Sequence, residues 1–326
     1  MLREMWMKNF GYKLVMSLLL TLLLLGQAQA GFYNSMVVLG DSLSDSGNIS
    51  ILTDFAIPGP SNAYSAGRFT DGLNYADYLA EALGVALVPS IAGGTNFAFG
   101  GARTDSHSDG PFDVMSQLEY LLASGIPLNK NTLVVLFAGG NNLRDGLVAA
   151  AVDPANVSQI SAATIQNAVG DLMVVLQQLI AAGARDILVP NVPNLGAIPE
   201  VTALIPVFPG IDILAQTLTE QFNLALKGAI AQLDYEGIIR FDTFKFMAKL
   251  TEKPAKYNLT NVTDACYTGE PDRPDFGGEI CANPNEYLYF DGHHATSATY
   301  RILATAILKK LSDDDDDDHR HKIHHN

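Results

Sequence analysis

Apolar residues along this chain fall into short unbroken runs and longer stretches with a single apolar face, and the two kinds alternate. Met36-Val37-Val38-Leu39 and Thr132-Leu133-Val134-Val135-Leu136-Phe137-Ala138 are unbroken and rich in β-branched residues, the pattern of strands buried on both faces. Asp186 to Pro190 and Gly237 to Phe241 read as a third and a fourth strand. Leu73, Ala76, Leu79, Ala80 and Leu83 share one side of a helix over residues 72–83, which Gly84 stops; Val85 to Pro89 and a glycine-rich loop follow. Longer helices are predicted from about Val157 to Ala182, from Ile211 to Leu233 and from Ser297 to Leu311. This alternation predicts an α/β fold with a doubly wound parallel sheet, in which ligands bind beyond the carboxyl ends of the strands.

The residues that follow the strands carry the candidate chemistry. Ser42 stands two residues beyond Gly40 at the end of the first run, where a nucleophile can be presented or a helix capped. A serine hydroxyl needs a base to take its proton and donors to receive an oxyanion. Asn96 to Arg103 contains the pair Gly100-Gly101, and Gly101 is the expected backbone donor, since a residue without Cβ lets its N–H approach a ligand closely. Asn141 follows Gly139-Gly140 at the end of the second strand, so its side-chain amide is a second donor and Ser42 N–H a third. The base is sought in Tyr287 to Thr296. There Asp291 and His294, three residues apart in a turn, can touch, leaving one imidazole nitrogen for Ser42. His293 is the rival, disfavoured because its spacing of two from Asp291 is tighter and points the two side chains apart. Each segment alone also reads as an ordinary turn; their order makes the chemical reading the better one.

With these segments in hand, the chain resembles the GDSL, or SGNH, hydrolase family over most of Met36 to Leu311. Gly40-Asp41-Ser42-Leu43 with Ser44-Asp45-Ser46-Gly47-Asn48 looks like its first block, Asn96 to Gly101 the second, Gly139-Gly140-Asn141 the third and Asp291-Gly292-His293-His294 the last. The resemblance implies a three-layer α/β/α sandwich with a mostly parallel sheet and no metal or cofactor. It also implies Ser42 as nucleophile, Gly101 and Asn141 as oxyanion donors, and an Asp291–His294 pair. Gly67 to Gly72 and Asn261 to Cys266 look like segments of the branch containing secreted lipases, phospholipases and acyltransferases. Two positions depart from the pattern: Asn142 stands where the third block has Asp, and Ala295 where the last has Pro. The G-x-S-x-G elbow of the α/β-hydrolases is absent.

Composition refines this picture at the ends of the chain. Arg3, Lys8 and Lys13 precede an apolar stretch from Leu14 to Leu25 and then Ala28-Gln29-Ala30, so residues 1–30 are expected to be a secretory signal peptide; a retained anchor is the competing reading. No later segment is long and apolar enough to cross a bilayer. The net charge of −15 argues against nucleic acid or anionic membrane as an electrostatically driven partner. Cys266 and Cys281 are expected to pair in an exported chain, the alternative being two free thiols. Residues 31–312 are expected to form one domain. Asp313 to Asp318 and the histidines after them should be a disordered tail, with cation capture as the rival reading. The function expected is a secreted serine esterase or lipase acting on small-molecule or lipid esters through an acyl-serine intermediate, with acyl transfer to other alcohols as a further capacity. Carbohydrate deacetylation and a non-catalytic binding role are the alternatives.

Overall fold

The computed structural model describes residues 33–60, 62–105, 112–273 and 277–323; the expected signal peptide lies outside them. The central sheet has the order β1 (Ser35–Gly40), β2 (Thr132–Phe137), β3 (Asp186–Pro190) and β4 (Ile238–Phe241), every neighbour parallel. A second, two-stranded sheet pairs β5 (Asn261–Ala265) with β6 (Tyr287–Tyr289). The helices are α1 (Asn48–Leu52), α2 (Tyr75–Leu83), α3 (Val114–Ser124), α4 (Gly140–Val152), α5 (Val157–Ala181), α6 (Pro199–Thr202), α7 (Ile211–Ile230), α8 (Thr243–Glu252) and α9 (Ser297–Ile323).

Side chains alternate across the sheet with period two and so sort the helices into layers. Val37, Leu39, Val134, Leu136, Ile187 and Val189 pack into one core with α3, α4, α5 and α7. Met36, Val38, Leu133, Val135 and Leu188 face the other way, onto Tyr75 and Leu79 of α2 and Leu303, Ile307 and Leu311 of α9. The result is the α/β/α sandwich. Helices α3, α4 and α8 were not foreseen from the apolar pattern. The loop carrying Asn96 lies along the outer edge of β1, where Phe97 N–H donates to Val38 O and Phe99 N–H to Gly40 O. That contact places Gly100 and Gly101 beyond the end of β1, level with Ser42.

Two local devices end β1 where the chemistry begins. Gly40 lies so close to β2 that a Cβ would strike the carbonyl oxygen of Phe137. Gln117 of α3 then receives Gly40 N–H at 2.8 Å and donates to Gly40 O at 2.7 Å, pairing backbone groups that the sheet leaves over. At the other end of the chain, Cys266 and Cys281 form the disulfide. Its loop runs beside β6, with Cys266 N–H on Tyr289 O and Tyr267 N–H on Phe290 O. The helical backbone of α9 runs on through Ile323, so the acidic run is helical where a disordered tail was expected. A helix already nucleated and packed as far as Leu311 extends by one hydrogen bond per added residue.

Candidate active site

Short polar side chains after β1 fold the serine turn onto its neighbours. Asp45 accepts Gly47, Asn48 and Ile49 N–H, which caps α1, and also Gly100 N–H at 2.8 Å. Asn48 is fully buried and donates to Asn96 O and Ala98 O, while Asn96 donates to Ser44 O. The first and second sequence blocks are therefore one hydrogen-bonded unit.

Ser42 Oγ lies 2.8 Å from His294 Nε2, and His294 Nδ1 lies 2.7 Å from Asp291 Oδ2. All three residues are buried. Asp291 Oδ1 accepts His293 N–H at 2.9 Å and His294 N–H at 2.8 Å, which fixes the turn, and Oδ2 also accepts the Tyr64 hydroxyl at 2.8 Å. Burial works to raise the Asp291 pKa, but the two histidines and these hydrogen bonds outweigh it and hold the carboxylate well below its usual range. Burial also favours the neutral His294 imidazole and moves its pKa below the usual 6.5, against the pull of Asp291. A neutral imidazole beside an ionised carboxylate is the form that can take a proton.

His293 turns elsewhere. Its Nδ1 lies 3.2 Å from Glu200 Oε2, and Glu200 Oε1 lies 2.6 Å from Arg144 on α4. Glu200 N–H donates to Gly292 O at 2.8 Å, so α6 straps the histidine turn to α4, the helix that carries Asn141. Attraction from His293 and Arg144, with the hydrogen bond from Arg144, holds Glu200 well below the usual carboxylate range although burial opposes it.

Asn141 Nδ2 gives one hydrogen to Ala102 O at 2.9 Å, which leaves the second for a ligand. Gly101, at φ 82°, borders the same cleft as Ser42, Asn141 and His294. Gly100 N–H is already engaged by Asp45, so Gly101 is the glycine of the pair with a donor to spare. Both departures from the family pattern are braced. Asn142 pairs through its amide with Thr104 N–H and Oγ1 at 3.1 Å, and Ala295 O accepts the Thr70 hydroxyl at 2.9 Å. Asp291, His293 and His294 could in principle gather a metal ion, their ligand atoms lying within 4.8 Å of one another, but both His294 nitrogens are taken by Asp291 and Ser42.

Tyr64, Gln117, Arg144 and Glu200 were not anticipated. Only Arg144 had a signal, its place one helical turn after Asn141.

Hydroxyl, imidazole and carboxylate bonded in series, with idle N–H donors alongside, can deprotonate an alcohol and hold an oxyanion, which is the working chemistry of serine hydrolases. The chain belongs to the GDSL-like Lipase/Acylhydrolase family, whose model matches residues 36–307, and it is a serine ester hydrolase. A GDSL esterase/lipase of Arabidopsis thaliana is 24% identical over 94% of this chain and 92% of its own length. Lipase 1 of Photorhabdus luminescens is 32% identical over 53% of this chain and 24% of its own. A lipase from a goat rumen metagenome, 17% identical over 86% of this chain and 96% of that one, superposes with a TM-score of only 0.44 and adds nothing to the topology above. Among the described residues, no helix is long and apolar enough to cross a membrane.

Proposed function

We propose that this chain is an exported enzyme that cleaves carboxylic esters of acyl lipids by two-step acyl transfer at Ser42. His294 takes the Ser42 proton as Oγ attacks the ester carbonyl, and Ser42 N–H, Gly101 N–H and Asn141 Nδ2 hold the tetrahedral oxyanion. His294 then gives that proton to the departing alcohol. Water, activated by His294 in turn, releases the acid from the acyl-serine; another alcohol reaching the site first would make the same enzyme an acyltransferase. Asp291 keeps the imidazole in the required tautomer and stabilises its charged form.

The observation that carries this reading is the unbroken chain from Ser42 Oγ to His294 Nε2 at 2.8 Å and from His294 Nδ1 to Asp291 Oδ2 at 2.7 Å. The test is turnover of short-chain esters, long-chain esters and a lysophospholipid by the purified protein. Ser42→Ala should abolish all of it and leave the folded state intact. Full activity in that variant would remove Ser42 from the mechanism; activity confined to acetyl esters would point to a deacetylase instead.

A further inference from the structure

Ser42 borders two spaces that differ in lining, one mixed and one mainly apolar. On one side is an open cleft of about 810 Å³ bordered by Arg144, Glu200, Glu270, Asp272, Arg273 and His294. On the other, Ser42 and Asn141 border a pocket of about 50 Å³. Leu43, Phe137, Pro193 and Ile198 wall that pocket and also a larger cavity of about 260 Å³ behind it. The larger cavity continues between α8 and α9 to Met247, Thr251 and Leu303. It exceeds the apolar cavity of about 150 Å³ that admits a benzene ring.

The reaction decides which part of the substrate goes where, given the acyl-transfer reading above on which this step rests. The carbonyl oxygen must face Ser42 N–H, Gly101 and Asn141. The leaving oxygen must face His294 Nε2, which protonates it. His294 borders the open cleft and neither of the apolar spaces. The acyl substituent that remains faces either the rest of the cleft or the mainly apolar pocket beside Ser42, and a hydrocarbon chain is better buried in the second. We infer that the cavity between α8 and α9 is the acyl-chain site, taking a linear hydrocarbon chain past Leu43 and Phe137, while a polar alcohol such as a glycerol or charged headgroup lies in the cleft beside Arg144. Chain length is therefore read by Met247 and Thr251, far from the chemistry. Thr251 is exposed, so the far end of the cavity reaches the surface.

The test compares 4-nitrophenyl acetate with the decanoate, and 4-nitrophenyl methylphosphonate with the decylphosphonate, on the full chain. Ser42 Oγ attacks phosphorus and forms the new bond as 4-nitrophenolate leaves and the Ser42 proton passes to His294, and mass spectrometry locates the adduct. In Met247→Trp, decanoate turnover and decylphosphonate labelling should fall by about tenfold, the factor that about 1.4 kcal/mol of overpacking produces, with the acetate and methyl probes within about twofold of wild type. Thr251→Trp, at an exposed position where folding is not at risk, should shift the same ratio in the same direction. Equal losses at both chain lengths, or no change at either, with Ser42 still labelled would overturn the acyl-site assignment alone. Failure of both phosphonates to label Ser42 in the wild-type protein would instead overturn the acyl-transfer reading and this inference with it.

Discussion

Removing one oxygen atom tests how Asp291 is held. The Tyr64 hydroxyl donates to Asp291 Oδ2 at 2.8 Å, the same oxygen that meets His294 Nδ1, and the Tyr64 ring sits edge-on to Tyr267 and Phe290 at 5.6 and 5.3 Å. Tyr64→Phe keeps those ring contacts and deletes one of four donors to the carboxylate. A hydrogen bond to a charged group contributes about 1.5–3 kcal/mol, which bounds the loss of stability and, if all of it appears in the transition state, limits the rate loss to roughly ten- to hundredfold. The pH profile carries the sign. With one donor fewer, the Asp291 carboxylate pulls harder on the His294 imidazolium. The other neighbours that act on His294, His293 and Arg144, both oppose that form and are unchanged. The His294 pKa therefore rises, and the acid limb of kcat/KM for a soluble short-chain ester moves to higher pH. Denaturant unfolding of the same samples measures the stability term. A variant that loses stability but keeps both the plateau and the acid limb would show that Tyr64 only packs, and the reasoning would fail.

Other outcomes follow from the same contacts. Asn141→Ala, which removes the amide donor, should lower kcat about 10²- to 10³-fold with little change in KM in steady-state assays. Because His294 is neutral below its ordinary pKa of 6.5, wild-type kcat/KM should hold its plateau at pH 6 and fall only in stronger acid; a midpoint at or above 6.5 would contradict its burial. Burial pushes Asp41 up to about 7 from 3.8, so its protonated form is the one the fold favours: its contribution to stability is complete below about 3.8 and is lost as pH rises through about 7. Melting temperature should therefore decline between pH 6 and 8 in the wild type and decline less in Asp41→Asn. Replacing Cys266 and Cys281 together by Ala opens a bridge spanning 15 residues and should cost about 3 kcal/mol in chemical denaturation on the chain-entropy account.

What the sequence made legible divides along physical lines. Four strands and the helices α2, α5, α7 and α9 announced themselves because burial on one or both faces writes a period into the chain. Helix α4 did not, since its opening residues Gly140, Asn141 and Asn142 are chosen for the loop they form with Ala102 and Thr104 and not for a helix. Ser42, Gly101, Asn141, Asp291 and His294 stand out as candidates because each follows a strand or sits in a short turn, where glycine, histidine and carboxylate have few structural reasons to occur together. Their supports do not. Tyr64 lies 227 residues from Asp291 and Glu200 56 from Arg144, and a hydrogen bond across such distances leaves no spacing to read.

The same distinction explains the two departures from the family pattern. Read locally, Ala295 for Pro frees a backbone torsion next to the base and Asn142 for Asp removes a carboxylate next to an oxyanion donor. In three dimensions Thr70 reaches across from the loop before α2 to hold Ala295 O, and Asp71 accepts Ser297 N–H at 2.7 Å, so the turn carrying His294 is clamped from outside by residues of the Gly67 to Gly72 segment. Phe69 closes over the imidazole at a ring separation of 5.0 Å. Rigidity at the base is thus supplied by tertiary contacts where proline would supply it by covalent geometry. Thr70→Val tests that substitution of one device for another: close in shape and buried, it should leave the fold in place yet lower kcat. Adding Ala295→Pro should restore part of the loss, and if the proline restores nothing, the contact from Thr70 does not do the work of the missing ring.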